Sequence, residues 1–367
     1  MDRQFPALSC SMDGSADQDR ISLAHGEGAR ASRRLLLEFI LPRLHASRRQ
    51  AEVGNHPSEK DSIGAIIQDA AEIVTNQRQL AFCTDSHTIT PLFFPGGDLG
   101  SLAIFGTVND LAVSGAVPRW ISLSLILEEG LKLSVLGAIL DSCALAASQC
   151  QVEIVTGDTK VVPRGAVDAI FLNTSGIGEF YETPPPGPSS IQVGDRIIVS
   201  SSIGRHGTAV LGLRNGLKWS SGFCSDCRTV FPAIRALRSG LPSGIRCMRD
   251  ATRGGVGAVL QEWARECQLS LQLNDSAIPV SAEVRGACEL FGIDPLYLAN
   301  EGTFVAVVAA EVASQAVGAI QKCPGFEDAA EIGDVHPRGI SPVTISRIGG
   351  RIRPLDEPTG APLPRIC

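Results

Sequence analysis

The sequence lacks the features that mark several classes of protein. Its 367 residues contain no apolar run that approaches the roughly 18 residues of a membrane-spanning helix. The first twenty residues carry four aspartates and no apolar core, so we expect a disordered extension there and not a secretory signal. A net charge of −7 provides no basic face for nucleic acid or an anionic membrane surface. We therefore expect neither a nucleic-acid nor a membrane partner.

A regular disulfide framework is also missing. The eleven cysteines have no framework spacing, and several lie among apolar or small residues, which favours a reducing, cytoplasmic compartment. Cys224 and Cys227 form one C-x-x-C pair without a second pair at zinc-finger spacing or a thioredoxin-like context. Metal or redox chemistry at this pair is an alternative with little support.

The length and composition predict a globular chain of two domains. A chain of 367 residues is too long for one ordinary core, and 44% of its residues are hydrophobic against 19% charged. The clearest break in composition is TPPPGPSS at 183–190, which we interpret as the linker between the domains.

Residues 80–116 carry the strongest signals for chemistry. A short buried strand, Leu80 to Thr84, leads into Asp85, and Asp98 stands at the N-cap position of a buried helix that reaches Val117. Asp110 is the single charge in that helix, beside Asn109, and a buried carboxylate needs a partner. A hard cation such as Mg²⁺ would satisfy Asp85 and Asp110 together, although Asp98 as a simple cap and Asp110 bonded to backbone remain alternatives.

A second polar group follows the strand predicted at Val152 to Val155. Gly157-Asp158-Thr159-Lys160 is predicted to be a turn that presents a carboxylate, a hydroxyl and an ammonium group together. This set suits phosphate and Mg²⁺ but lacks the Walker A spacing, so we do not expect a P-loop. Trp120 to Leu127 is predicted to be a buried strand, and Leu133 to Ser148 an amphipathic helix.

Several long motifs resemble one family. TDSHTITPLFFPGGDLG at 84–100 and GTVNDLAVSGAVP at 106–118 resemble HypE, the carbamoyl dehydratase family of nickel-iron hydrogenase assembly, within the ATP-binding superfamily of aminoimidazole ribonucleotide synthetase. DATRGG at 250–255 is similar to the superfamily's D-P-T-R-G-G signature, with Ala251 replacing proline, and DPLYLANEG at 294–302 and the terminal PRIC also match. The resemblance extends from about Ile21 to the last residue.

The resemblance implies an α/β (α+β) fold of two domains like aminoimidazole ribonucleotide synthetase. We predict a disordered extension at 1–20, an N-terminal ATP-binding domain at 21–186 and a C-terminal α/β domain at 187–352. A flexible tail at 353–367 would carry the acceptor cysteine. The family pattern further implies a homodimer in which the N-terminal domains form a β-barrel.

The resemblance also implies a reaction. Cys367 would receive a carbamoyl group from a HypF-type carbamoyltransferase, and ATP-dependent dehydration would convert it to an S-cyano group. The cyano group would pass to a HypC–HypD iron scaffold as a cyanide ligand of the hydrogenase. Lys160 would neutralise developing charge and Glu301 would be the general base, unless Glu301 is only a solvated charge at a strand end.

The implied cofactors are ATP and Mg²⁺. Glu27 and Ala29 depart from the small residues that the family usually has in its Gly-rich loop. The residues predicted to bind ATP are His25, Gly26, Gly28, Asp85, Asn109, Asp110, Asp158 and Thr159, and those predicted to bind Mg²⁺ are Asp69, Asp85, Asp110 and Asp158.

Two other functions compete with this one. A different kinase or synthetase of the superfamily, such as one like selenide water dikinase, would need a reactive residue in the N-terminal loop, and Cys10 lies outside the matching motif. A non-enzymatic metal or redox scaffold would use Cys224, Cys227 and Cys367.

Overall fold

The computed structural model describes residues 79–219, 222–241, 243–347 and 349–357, the backbone of 71–74, and the single residues Arg34, Leu37, Glu38 and Ile366. Their secondary structure is mixed α/β, as predicted.

A five-stranded sheet forms the N-terminal domain. In chain order its strands are β1 (Ala71–Val74), β2 (Gln79–His87), β5 (Val117–Glu128), β6 (Glu153–Val162) and β7 (Ile170–Glu179). Between β2 and β5, the short strands β3 (Phe93–Phe94) and β4 (Gly97–Asp98) form a separate hairpin. The sheet has the order β1-β2-β7-β5-β6. All neighbours pair antiparallel except β5 and β6, which are parallel because a helix connects them.

Helix α1 (Leu99–Val113) lies against this sheet and is buried on almost every side. Asp98 caps it as predicted, since the carboxylate accepts from the backbone N–H groups of Gly100 and Ser101. The helix ends four residues earlier than predicted because Gly115 turns the chain with a φ of +92° before β5 begins.

Helix α2 (Leu133–Cys150) connects β5 to β6 and packs on α1. The close approach requires Gly100, because a Cβ there would lie 2.2 Å from the carbonyl oxygen of Ile139. The expectation that no segment approaches the length of a membrane helix is wrong for α2, which has 18 residues and, by length and composition only, could cross a membrane. One such helix is weak evidence, and its buried residues, among them Cys143, face α1.

Two sequence predictions about strand ends are corrected. Asp85 does not follow its strand, because the ladder to β7 continues through Asp85 to His87. The turn predicted at 157–160 lies inside β6, which pairs with β5 as far as Val162. Gly157 is needed there for close contact and not for a turn, since a Cβ would lie 2.1 Å from the carbonyl oxygen of Leu123.

The C-terminal domain is built on a seven-stranded sheet. In chain order its elements are β8 (Arg196–Val199), α3 (Arg205–Arg214), α4 (Phe231–Gly240), β9 (Ile245–Asp250), α5 (Gly255–Cys267), β10 (Ser270–Asn274), α6 (Ala282–Phe291), β11 (Phe304–Val308), α7 (Ala313–Gln321), β12 (Ala330–His336), β13 (Val343–Arg347) and β14 (Arg351–Pro354). The sheet order is β14-β13-β10-β12-β8-β11-β9.

Alternating side chains of this sheet pack into two hydrophobic cores, one on each face. Val305 and Val307 of β11 pack with Trp263 of α5, whereas Phe304 packs with α4 and α7. Both faces are therefore apolar, and β11 is buried along its whole length. The ends of β11 and β9 carry the buried polar residues of the candidate site.

The predicted tail does not begin at residue 353. Residues 353 and 354 belong to β14, which pairs with β13, and Leu355 is buried. Gln261 donates to the carbonyl of Leu355, and Arg265 forms an ion pair with Glu357. Residues 353–357 therefore pack on the C-terminal domain, because an edge strand of the sheet continues past the predicted boundary.

Candidate active site between the two domains

Glu301 is a buried carboxyl group near the start of β11. It is 3% exposed, and its Oε1 atom has no hydrogen-bond partner among the described residues. Burial raises the pKa of Glu301 well above its ordinary value, the carboxylates of Asp250, Asp226 and Asp85 raise that pKa further, and Arg253 lowers it. The alternative of a solvated strand-end charge is therefore wrong. A desolvated carboxyl group with one unsatisfied oxygen is suited to proton exchange with a ligand.

Asp226 fixes the backbone on which Glu301 stands. Its carboxylate accepts from the N–H of Glu301 at 3.2 Å, from the N–H of Gly302 at 3.1 Å and from the hydroxyl of Thr303 at 2.8 Å. Glycine is required at 302, because a Cβ there would lie 1.9 Å from the carbonyl oxygen of Asp226. The loop at 224–228 thus holds the Glu301 backbone in one position.

Asn109 joins helix α1 to the same region of the C-terminal domain. Its Nδ2 donates to the carbonyls of Arg228 at 3.1 Å and Glu301 at 3.3 Å, and its Oδ1 accepts from the N–H of Val230 at 2.8 Å. Its amide is therefore occupied by contacts between the domains. Its predicted role in ATP binding stays a prediction.

Asp85 brings a carboxylate from the N-terminal domain towards this cluster. Asp85 lies on the face of β2 that is turned towards α1, because a Cβ at Gly106 of α1 would lie 3.8 Å from its Oδ2. His87 lies on the same face, is buried and has Nε2 3.3 Å from the hydroxyl of Thr174. Burial lowers the pKa of His87. Asp110 is half-buried on α1 and has interactions of its own.

Strand β6 carries the other predicted polar group on the sheet's exposed edge. Asp158 lies opposite Ser124, and Lys160 lies opposite Ile126, so both side chains are on the sheet face turned away from α1. All three residues from Asp158 to Lys160 are exposed. Lys160 is not among the charged groups that act most strongly on Glu301. The described chain alone does not bring these two predicted catalytic residues together.

The predicted metal and phosphate sites are only partly within the described residues. No group of three or more metal-ligating side chains is gathered within the described ranges, so the metal set stays a prediction. The predicted residues that lie outside the described residues are His25, Gly26, Gly28, Asp69 and Cys367.

The residue before Cys367 is docked in the protein. Ile366 is 2% exposed, and its carbonyl oxygen lies 2.7 Å from Nε2 of His206 on α3. His206 also contacts the hydroxyl of Ser225, the neighbour of Asp226. The tail therefore reaches the loop that supports Glu301. His206 stands beside Gly207 in a glycine-containing segment after β8, and this pair is the sequence signal that could have identified the contact.

The C-x-x-C pair is reduced in the structure. Cys227 is buried, its pKa is raised well above the ordinary value by burial and then by Glu301, and its Sγ lies 3.9 Å from the hydroxyl of Ser101. Cys224 is partly exposed and lies beside the guanidinium of Arg205. The pair shows neither a disulfide nor a metal cluster within the described residues.

Comparison with known families first defines the class. Residues 67–180 match the N-terminal domain of AIR synthase related proteins, and residues 192–345 match their C-terminal domain. Each match covers one of the two domains. The fold is therefore that of an AIR synthase related protein.

Individual relatives narrow this class. The carbamoyl dehydratase HypE of Escherichia coli (strain K12) is 43% identical over 349 residues, which are 95% of this chain and 100% of that protein. A crystal structure of HypE in complex with ATP has a TM-score of 0.75 at 37% identity, and covers 94% of this chain and 100% of its own. A HypE–HypF complex gives a TM-score of 0.76 at 38% identity over 86% of this chain and 99% of its own. This chain belongs to the HypE family of carbamoyl dehydratases.

Family membership confirms the predicted fold class and enzyme class. It favours the main prediction over a selenide water dikinase-like enzyme or a non-enzymatic scaffold. The roles of single residues stay predictions.

Proposed function

We propose that this chain dehydrates an S-carbamoyl group on its own Cys367 to an S-cyano group, with ATP as the phosphate donor. The observation that carries the proposal is the docking of Ile366 against the loop that supports Glu301. A buried proton acceptor and the end of the tail thus lie in one region.

The chemistry requires removal of an amide oxygen and two amide protons. The oxygen attacks the γ-phosphate of ATP, ADP leaves and one proton is lost, so that phosphate becomes the leaving group. Loss of that phosphate with the second N–H proton forms the C≡N bond. Glu301 in its ionised form accepts a proton, and a raised pKa brings the base closer to the operating pH. Its unsatisfied Oε1 is the atom available for that proton.

Mg²⁺ is the proposed metal cofactor. Carboxylates are the hard oxygen ligands that it prefers, and Asp85 supplies one beside the Glu301 cluster. Asp69, Asp110 and Asp158 are the other proposed ligands, with the remaining predicted residues on the nucleotide. Bound Mg²⁺ would neutralise phosphate charge during transfer.

A homodimer would complete this site. Phe82 and Trp120 both pair with Ile177, so they form an apolar row across β2, β7 and β5 on the face turned away from α1. Phe82 is 38% and Trp120 37% exposed in the single chain. A second copy packed on this face would cover the row and enclose Lys160, which then has a place near the phosphates. Light scattering tests this proposal. The wild type should be a dimer and Trp120→Glu a monomer, and a monomeric wild type would overturn the proposal.

The proposed partners follow from the carrier role of the tail. A HypF-type carbamoyltransferase would load Cys367, and a HypC–HypD scaffold would accept the cyano group. The existence of a HypE–HypF complex supports the first partner. We propose a cytoplasmic enzyme with neither a membrane nor a nucleic-acid partner.

Intact mass spectrometry together with peptide mapping of the protein co-expressed with its carbamoyltransferase tests the function. One carbamoyl group should appear on the terminal peptide, and Mg-ATP should then remove one water from it with release of phosphate. A carbamoyl group that stays unchanged under Mg-ATP, or one found on another cysteine, would overturn the proposal.

A further inference from the structure

His206 is an enclosed histidine that contacts both the site and the tail. It is 0% exposed on α3, with Nδ1 2.9 Å from the hydroxyl of Ser225 and Nε2 2.7 Å from the carbonyl oxygen of Ile366. The ring of Phe94 meets the imidazole edge-on, with 5.2 Å between ring centroids. Both ring nitrogens therefore have partners, and the ring also packs against Phe94.

The direction of each hydrogen bond follows from the partners. A carbonyl oxygen only accepts, so Nε2 carries the hydrogen that is donated to Ile366. Burial lowers the pKa of His206, which favours the neutral ring, so Nδ1 accepts from the hydroxyl of Ser225. The same hydroxyl oxygen accepts from the N–H of Cys227 at 3.0 Å. The Ile366 carbonyl therefore selects the tautomer, and the Ser225 hydroxyl in the loop at 224–228 can donate to the other ring nitrogen.

The side chain of Ile366 holds the tail in addition to the hydrogen bond from His206 to its carbonyl. Ile366 adds an apolar anchor in the core that also contains Phe94, Phe223 and Cys227. Because consecutive Cα atoms are about 3.8 Å apart, fixing the carbonyl of Ile366 restricts how far the thiol of Cys367 can move. The apolar anchor and the hydrogen bond both hold Ile366, which is the residue next to Cys367.

We propose that His206 is a positioning residue that latches the tail through the Ile366 carbonyl, so that it retains the loaded Cys367 for dehydration and must release it for loading. The latch deepens the proposed function and rests on it. Loss of the latch should slow dehydration and make the thiol of Cys367 more accessible. A loss of folding cannot produce these two opposite effects.

The test compares two substitutions of His206. His206→Leu keeps a buried apolar side chain but removes the donor, whereas Gln in His206→Gln places an amide N–H near the position of Nε2. With Cys367 fully carbamoylated, single-turnover dehydration should fall about 10-fold in His206→Leu, as expected for one buried hydrogen bond, and recover to within about 3-fold in His206→Gln. Alkylation of unloaded Cys367 by iodoacetamide should become about 10-fold faster in His206→Leu.

Two further variants keep the test informative. Thr208→Val, on the same helix, changes a buried hydroxyl that has no partner among the described residues, so it should alter neither rate. Ile366→Ser removes the apolar anchor from the tail and leaves the body of the protein intact, so it should also speed alkylation if His206→Leu fails to fold.

The outcomes separate the latch from the proposed function. Unchanged alkylation in both His206→Leu and Ile366→Ser would overturn the latch, and so would equal losses of loading and dehydration in a folded His206→Leu protein. A loaded wild type that Mg-ATP does not dehydrate would overturn the proposed function, while the alkylation rates would still decide whether the tail is held.

Discussion

Replacing Glu301 with glutamine should stabilise the protein and stop dehydration. The carboxyl group is buried among three carboxylates, and its Oε1 has no partner among the described residues. A buried polar atom without a hydrogen bond costs about 1–3 kcal/mol. Glutamine supplies an N–H₂ group that can donate to the nearby carboxylates. Its side chain also does not ionise. We therefore expect Glu301→Gln to raise the free energy of unfolding by about 1–3 kcal/mol near neutral pH.

The pH dependence of that gain follows from the direction of the pKa shift. Folding raises the pKa of Glu301, so the wild type has its full stability below the ordinary glutamate pKa of about 4.3. As pH rises from there towards the folded pKa, the unfolded state ionises while the folded state stays protonated, and stability is lost. Glutamine does not titrate. The advantage of Glu301→Gln should therefore grow between about pH 5 and about pH 8.

Urea unfolding at both pH values measures this, with tryptophan fluorescence as the signal because Trp263 is buried in the C-terminal domain. Glu289 is exposed on α6, so Glu289→Gln is the matched control and should change little. Single-turnover dehydration should fall by at least about 100-fold in Glu301→Gln, while carbamoyl loading persists. A variant less stable than the wild type at about pH 8, or one that forms cyano groups normally, would refute the reasoning.

Four further outcomes are expected. Asp85→Asn and Asp110→Asn should weaken Mg-ATP binding by at least about 10-fold in calorimetric titration while the fold survives, and unchanged affinity in both would remove the metal-site prediction. Lys160→Ala should accept the carbamoyl group but stall before dehydration in the mass assay, so normal cyano formation would deprive Lys160 of its role. Cys367→Ala should keep folding and ATP binding but show no carbamoyl group in peptide mapping, whereas a modified second cysteine would contradict the carrier tail. Asn109→Leu should lower the free energy of unfolding by about 2–4 kcal/mol in urea, because the Arg228 carbonyl and the Val230 N–H lose the amide as a partner, and an unchanged midpoint would show that the amide contributes nothing there.

Local signals in the sequence were enough to predict the N-cap of α1 and the main helices and strands. Asp98 precedes an apolar run, and a carboxylate in that position satisfies the free N–H groups of a helix wherever the helix lies. The long motifs at 84–118 and 250–255 were enough for the family, because agreement over so many positions identifies a common ancestor without knowledge of contacts. The end of α1 was misplaced because Gly115 acts through its backbone conformation.

Strand ends depended on neighbours that are distant in sequence. Gly157-Asp158-Thr159-Lys160 has the composition of a turn, yet pairing with β5 continues the strand to Val162. The same kind of pairing extends β2 through Asp85 and β14 to Pro354. A hydrogen-bonded partner strand decides such boundaries, and local propensity is too weak to oppose it.

The sequence by itself determined the family, the two-domain α/β class and the residue types available for chemistry. Only the tertiary structure decided that Glu301 is buried beside Asp226, that Asn109 joins the domains, and that His206 meets the carbonyl of Ile366 across 160 positions of sequence. Burial and long-range hydrogen bonds set the pKa of Glu301 and the tautomer of His206. Both are properties of the surroundings that folding creates and not of the side chain itself.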